Sequence, residues 1–196
     1  VLDYGCGDGG FLQSLLKRNT THRIHAIGYE PFAAQAQRLS QELAIPIFSD
    51  RAPLLEEYPG KVDAVTLHFV MEHLLNPRQA FQDASRLLRK GGILFLTLPH
   101  FNSWERRLFG VKWHHLDAPR HIHFAEKKTL KTLAAESGLT LLSAKPLPYA
   151  HGFAGTVPVL LSGRFRFSLF VLALPLGILF SSIFPTGVYG YCLQKE

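Results

Sequence analysis

Residues 1–12 read VLDYGCGDGGFL. A short apolar run ends in glycines, as a buried strand does where it enters a loop, and residues 11–17 then carry helical spacing. Glycines let the backbone turn tightly and let a ligand approach with no side chain in the way. A helix N-terminus behind them offers free N–H groups and a partial positive charge. Dinucleotide enzymes hold a pyrophosphate with this device at a G-x-G-x-x-G spacing. Here the spacing is G-x-G-x-G, over Gly5, Gly7 and Gly9, and Asp3 stands two residues ahead of the first glycine. A carboxylate there repels a pyrophosphate and suits a ligand that carries an ammonium group and no phosphates.

Outward from this loop the chain alternates. Residues 24–29 read as a second strand, stopped by Glu30 and Pro31, and residues 32–43 as a helix with Ala33, Ala36, Leu39 and Leu43 on one face. Short strands follow at 45–48 and 62–69. Residues 77–89 form a helix stopped by Gly91 and Gly92, and 93–98 a fifth strand. After Asn102 the texture turns aromatic and histidine-rich, then helical over 128–137 with Gly138 as a cap, then strand-like over 139–144. Residues 188–193 read as a last strand, reached antiparallel. Strands alternating with helices imply right-handed crossovers and a parallel sheet covered on both faces. In such open sheets the ligand sits beyond the carboxyl ends of the strands, so the residues just after each strand matter most.

Glu30 ends the second strand about twenty residues after the loop, where an acid accepts hydrogen bonds from both ribose hydroxyls. Asp50, after the third strand, is placed to reach an adenine edge. With these residues in view, VLDYGCGDGGFL resembles the first motif of class I methyltransferases, and IGYEP the second. VDAVTLHFVMEHLLNP with LLRKGGILFLTLPH resembles the group that includes ubiquinone-biosynthesis-type O-methyltransferases, and FGVKWHHLDAPRHIHFAEKKTLKTLAAESGL looks like a segment of one branch of it. The resemblance covers residues 1–142. It implies an α/β fold, a Rossmann-like seven-stranded, mostly parallel sheet with helices on both faces, and S-adenosylmethionine as cofactor. It matches Asp3, Gly5 and Gly7 to the cradle of the methionine part, Glu30 to the ribose and Asp50 to the adenine side.

Methyl transfer from a sulfonium is an in-line displacement, so the protein chiefly aligns the nucleophile and takes a proton where the acceptor is a hydroxyl. Histidine is the natural base near neutral pH. His68 and His73 follow the fourth strand and His100 the fifth, all on the crevice side; the bland alternative is that Glu72-His73 merely ties its turn. The loop over residues 113–124 carries His114, His115, Asp117, Arg120, His121 and His123 and would lie over the pocket mouth. There His121, oriented by Asp117, is the first candidate base, and Arg120 a holder of an anionic group. The alternative is a lid whose polar residues satisfy its own backbone. His121-x-His123 lacks the ladder of acids or cysteines that metal sites recruit, so no metal is expected.

The remaining expectations come from composition and the tail. With 196 residues, 47% apolar and 18% charged, the chain is globular, with enough interior for one sizeable core. It begins at Val1 inside an apolar run, which suggests a missing N-terminal piece. Cys6 and Cys192 make no disulfide framework, which favours a reducing, cytoplasmic compartment. The +6 charge is scattered without a base-reading motif, which argues against nucleic acid. Residues 167–193 hold no charge, and a bilayer needs roughly 20 apolar residues, though Pro175, Gly177 and Pro185 argue against one undisturbed helix. The stretch reads as an interfacial or re-entrant membrane segment with Arg164 and Arg166 at the headgroups, as a cap over a greasy substrate or an oligomer interface, or as a buried pair of elements. The division expected is a cofactor domain over 1–150, an apolar insertion over 151–186 and a last strand over 187–196. Taken together, this implies a cytoplasmic-side, membrane-associated methyltransferase acting at oxygen on a small or lipid-linked acceptor. A non-catalytic binding or assembly module is the alternative. A nucleotide-dependent oxidoreductase is disfavoured by Asp3 and the loop spacing.

Overall fold

The computed structural model describes residues 1–20 and 23–196. The strands are β1 (Leu2–Tyr4), β2 (Ile27–Tyr29), β3 (Ile47–Phe48), β4 (Val62–His68), β5 (Leu88–Pro99), β6 (Leu139–Pro146) and β7 (Val188–Lys195). They form one sheet in the order β3-β2-β1-β4-β5-β7-β6. Every neighbouring pair from β3 to β5 is parallel, and β7 runs antiparallel between β5 and β6. The core follows from this: Leu2, Val65, Leu94 and Leu96 are fully buried at the centre of the sheet, with Phe81, Ala84 and Leu87 packed over them. Each such aliphatic side chain contributes about 1.5–3 kcal/mol by leaving water.

The helices are α1 (Gly10–Arg18), α2 (Ala33–Leu43), α3 (Arg51–Glu57), α4 (Pro77–Leu87), α5 (Trp104–Phe109), α6 (Lys127–Glu136), α7 (Ala150–Ser162) and α8 (Phe167–Ile183). Leu12 of α1 and Leu39 of α2 close a second small cluster with Cys6 beneath the glycine loop. Gly138 follows α6 with φ of +65°, the left-handed geometry expected of its cap.

Three local expectations are corrected. α4 ends at Leu87 rather than Arg89, because β5 already starts at Leu88 opposite Val62. The register then skips from Leu88 to Ile93, so residues 89–92 bulge out with Gly91 at φ +74°. Arg89 grips Asp63 across the bulge, at 2.6 Å. The glycine pair thus interrupts a strand instead of stopping a helix. Second, residues 51–57 are helical, and Asp50 is the N-cap, accepting from Ala52 N at 3.0 Å. Third, the apolar stretch before β7 is two helices, and its break falls at residues 163–166, not at the prolines, since Pro158 and Pro175 lie inside α7 and α8.

α7 and α8 are joined by a four-residue turn and pack on each other, with Phe153 and Phe180 stacked at 4.4 Å. Gly177 permits the approach: a Cβ there would sit 2.6 Å from the Ala150 carbonyl oxygen. The outer face stays apolar and open, with Leu161, Phe167 and Leu172 more than 70% exposed. Among the described residues, no helix is long and apolar enough to cross a membrane.

Candidate active site

The glycine loop leaves β1 and enters α1 as its spacing requires. Gly5, Gly7 and Gly9 take φ of +81°, +55° and +80°, a region that side chains other than glycine rarely adopt. The Tyr29 carbonyl accepts from Gly5 N and Cys6 N at 2.7 and 2.9 Å, which pins the loop to the end of β2. Glu30 completes the cradle, its carboxylate accepting from Gly7 N at 3.0 Å and Phe32 N at 3.1 Å. Each oxygen keeps a further lone pair for a ligand hydroxyl.

Beside this loop, at the carboxyl ends of β1 and β2 and in the turn after β4, lies a cleft of about 470 Å³. Gly5, Tyr29, Glu30, Arg51, Phe69 and His73 are among its walls. That volume is within the range of small-molecule sites, and an apolar wall (Phe69, Val70, Leu74) faces polar groups on the other side. Gly5 is closed in by Val70: a Cβ there would meet its methyls at 2.8 and 2.9 Å.

Asp3 is buried, and Thr66 Oγ1 donates to it at 2.7 Å. Burial pushes its carboxyl up to about 6, with the Thr66 hydrogen bond pulling the other way. Asp50 is not a wall of the cleft; its carboxylate caps α3, while the next residue, Arg51, lines the cleft and holds Asp83 at 2.6 Å. Tyr4 donates to the same Asp83 at 2.8 Å, so this wall is braced from behind.

The histidines separate by position. His68 is wedged between Phe11 and Phe95, with Nδ1 at 3.0 Å from Thr97 Oγ1, and is not among the cleft walls. His100 stacks on Tyr189 and meets the Tyr191 hydroxyl at 2.7 Å. Burial lowers the affinity of both rings for a proton. His73, on a short 3-10 turn over Met71–His73, lines the cleft, and the His121 ring stands against it edge-on with centroids 4.7 Å apart.

The loop over residues 113–124 packs as a lid. Trp113 is buried and donates to Glu105 at 3.1 Å, and His114 N donates to Thr156 of α7 at 3.1 Å. His115 is buried in this seam, where desolvation pushes its ring down to about 3, so it stays neutral. The expected pairing of His121 with Asp117 is not formed. Asp117 takes the nearer and charged partner Arg120 at 2.7 Å, while His121 Nδ1 lies 2.7 Å from the His115 carbonyl. Arg120 is thus paired with Asp117 through one nitrogen of an otherwise exposed guanidinium.

One group escaped the sequence reading. Glu72 is 1% exposed, neither of its oxygens has a hydrogen-bond partner, and burial pushes its carboxyl up to about 7. One side-chain donor atom each from Glu72, His73 and His121 lies within 4.8 Å of the others. The Glu72-His73 pair was visible in the sequence, but the burial of the carboxylate and the arrival of His121 were not.

This combination of a glycine loop, an acid closing β2 and a seven-stranded sheet with one antiparallel strand defines a class of protein. The profile of the methyltransferase domain family matches residues 1–144, and the chain belongs to that family. It is similar to a ubiquinone biosynthesis O-methyltransferase of Pseudomonas aeruginosa, 27% identical over 172 residues, covering 81% of this chain and 74% of that one. In fold it is similar to a methyltransferase from Archaeoglobus fulgidus dependent on S-adenosylmethionine, with TM-score 0.64 and 18% identity, covering 99% of this chain and 85% of that one. It is also similar to a mycolic acid cyclopropane synthase solved with S-adenosylhomocysteine, with TM-score 0.63 and 16% identity, covering 99% of this chain and 77% of that one. The protein is a class I methyltransferase enzyme, and its cofactor is S-adenosylmethionine. The loop geometry fits that cofactor: an open glycine cradle, a buried carboxylate behind it and a half-buried one beside it.

Proposed function

We propose that this methyltransferase acts at a hydroxyl oxygen of a lipid-linked acceptor, at the cytoplasmic face of a membrane. The observation that carries the oxygen assignment is the imidazole pair, His73 in the cleft wall and His121 against it. Each Nδ1 lies on a backbone carbonyl, His73 on that of Arg120 at 3.0 Å and His121 on that of His115 at 2.7 Å. A carbonyl only accepts, so Nδ1 carries the hydrogen and Nε2 keeps a lone pair for a proton. A ring nitrogen with a free lone pair suits the proton of a hydroxyl acceptor. The printed name of the Pseudomonas aeruginosa relative, an O-methyltransferase, agrees with this reading.

Asp3, Gly5 and Gly7 cradle the methionine part and Glu30 takes the ribose hydroxyls, while beyond Glu30 it is Arg51, and not Asp50, that borders the cleft. The cofactor supplies the reactive methyl group; the chain orients it, excludes water beneath the lid and accepts the acceptor's proton. Residues 1–150 serve as the cofactor domain and 151–186 as an apolar insertion before the last strand. The α7–α8 pair presents open aliphatic and aromatic side chains with Arg164 and Arg166 at its tip. No acid lies between Glu136 and Glu196. An apolar face with a basic tip matches a bilayer with anionic headgroups, and would place the cleft near an acceptor held there.

The test is transfer of labelled methyl groups from S-adenosylmethionine to a long-chain alkyl catechol, offered in vesicles of phosphatidylglycerol and phosphatidylcholine. The expected product is an alkali-stable methyl ether, formed faster with the anionic vesicles than with phosphatidylcholine alone. Cofactor binding without transfer to any hydroxyl acceptor would overturn the oxygen assignment and turn the search to nitrogen or carbon acceptors.

A further inference from the structure

We propose that Glu72 is a positioning residue that holds, with His73 and His121, the proton released by the acceptor hydroxyl. This rests on the O-methylation reading above. Glu72 sits in the 3-10 turn directly after β4, and its backbone is stitched to the lid: Ile122 N and His123 N donate to its carbonyl at 2.9 and 3.2 Å. The turn and the lid therefore bring their side chains together by main-chain bonds.

The side-chain geometry gives the cluster its chemistry. A buried carboxylate with two unpartnered oxygens is costly unless it serves a purpose that a neutral residue would not. The His73 and His121 rings each have Nδ1 on a backbone carbonyl, which leaves both Nε2 atoms as proton acceptors. One nitrogen or oxygen of each of the three groups lies within 4.8 Å of the others, near enough for a charge on one to act on the other two. His73 also borders the cofactor cleft, so the cluster reaches the place where the acceptor must lie.

The step balances as follows. The acceptor O–H bond breaks and its proton passes to an imidazole Nε2. The oxygen lone pair forms the new bond to the methyl carbon, and the pair of the broken carbon–sulfur bond stays on sulfur. The imidazolium so formed stands beside the Glu72 carboxylate, and its proton leaves to water through the exposed His73. The other polar groups facing the cluster do not compete for this role. Arg120 and Asp117 are paired with each other, His115 is buried and neutral, and Tyr149, next before α7, is a hydroxyl whose acidity is suppressed by burial first and by the Glu72 charge second.

The experiment compares wild type with Glu72→Gln and Glu72→Asp in the whole chain. It reads the ring nitrogens of His73 and His121 by NMR against pH, the affinity for S-adenosylhomocysteine, and kcat against pH with the alkyl catechol. Glu72→Gln is expected to lower the pH at which the two rings take a proton and to leave cofactor affinity within about twofold. The same variant should cut kcat at neutral pH by about a hundredfold, with partial recovery in alkali. Glu72→Asp should restore part of both effects. Unchanged ring titrations in Glu72→Gln overturn the proposal, as does wild-type transfer that is lost to a chelator and restored by a divalent cation. If wild type fails on hydroxyl acceptors while the ring coupling is present, the O-methylation reading falls and only the coupling of Glu72 to the two rings stands.

Discussion

Asp3 lowers the stability of the fold, and its proposed service to the cofactor is what would offset that. Its carboxyl belongs to the first strand, is 3% exposed and is pushed up from 3.8 to about 6 by burial. Above that pH the folded protein holds a buried anion that the unfolded chain would hold in water. The penalty is complete above about pH 6, fades as the pH falls, and is gone below 3.8, where both states are neutral. At about 1.4 kcal/mol per pKa unit it amounts to roughly 3 kcal/mol. Asp3→Asn keeps the shape and the oxygen that Thr66 meets. In the absence of cofactor it is expected to melt higher than wild type at pH 7.5, with the advantage shrinking by pH 4.5, while its affinity for S-adenosylhomocysteine drops at least tenfold. Thermal melts and calorimetric titration at the two pH values check both halves. An equally stable variant with full affinity would remove Asp3 from the site. The place of this residue in the fold was legible because its surroundings are local: strand, acid and glycines are consecutive. Glu72 was not, because its burial depends on a lid roughly fifty positions further along the chain.

Among the elements, α7 and α8 owe their pairing to small residues. Gly177 lies where any side chain would strike the Ala150 carbonyl and the Ala154 methyl, at 2.6 and 3.1 Å. Gly177→Leu should force the helices apart, costing on the order of 1–3 kcal/mol. The consequence to measure is faster trypsin cleavage at Arg164 and Arg166 with S-adenosylhomocysteine affinity held within about twofold. Unaltered cleavage would mean that the pair tolerates a wider spacing. The apolar composition of this stretch was plain from its residues, but its division into two helices was not. Proline in a helix removes a hydrogen bond, yet Pro175 is accommodated within α8, and the chain reverses at the Gly163–Arg166 turn. Similarly, Gly91 and Gly92 looked like a helix stop. Their local signal is the same for a cap and for a bulge, and only the pairing of Val62 with Leu88 distinguishes them.

For the molecule as a whole, the last strand is an interior one. β7 pairs at seven positions with β5 and at seven with β6. Removing residues 188–196 would leave both neighbours with unpaired backbone groups and uncover Leu96 and Leu141. Such a truncation is expected to lose its cooperative thermal transition altogether, read by circular dichroism, rather than to shift it. A truncated chain that still melts cooperatively would show that β5 and β6 can close on each other.

What the amino-acid sequence determined by itself was whatever depends on neighbours in the chain: the alternation of strands and helices, the glycine loop with Asp3 ahead of it, and the acid at the end of β2. Hydrophobic period, left-handed glycine geometry and the reach of a carboxylate all act over a few residues, so they can be read in a line. The tertiary structure alone decided which histidines meet the cofactor cleft. His68 is the last residue of β4 rather than one beyond it, and its ring turns between Phe11 and Phe95. His121 gave up Asp117 for a carbonyl and stands against His73. Partners that are distant in sequence compete on distance and burial, and those are properties of the packed molecule.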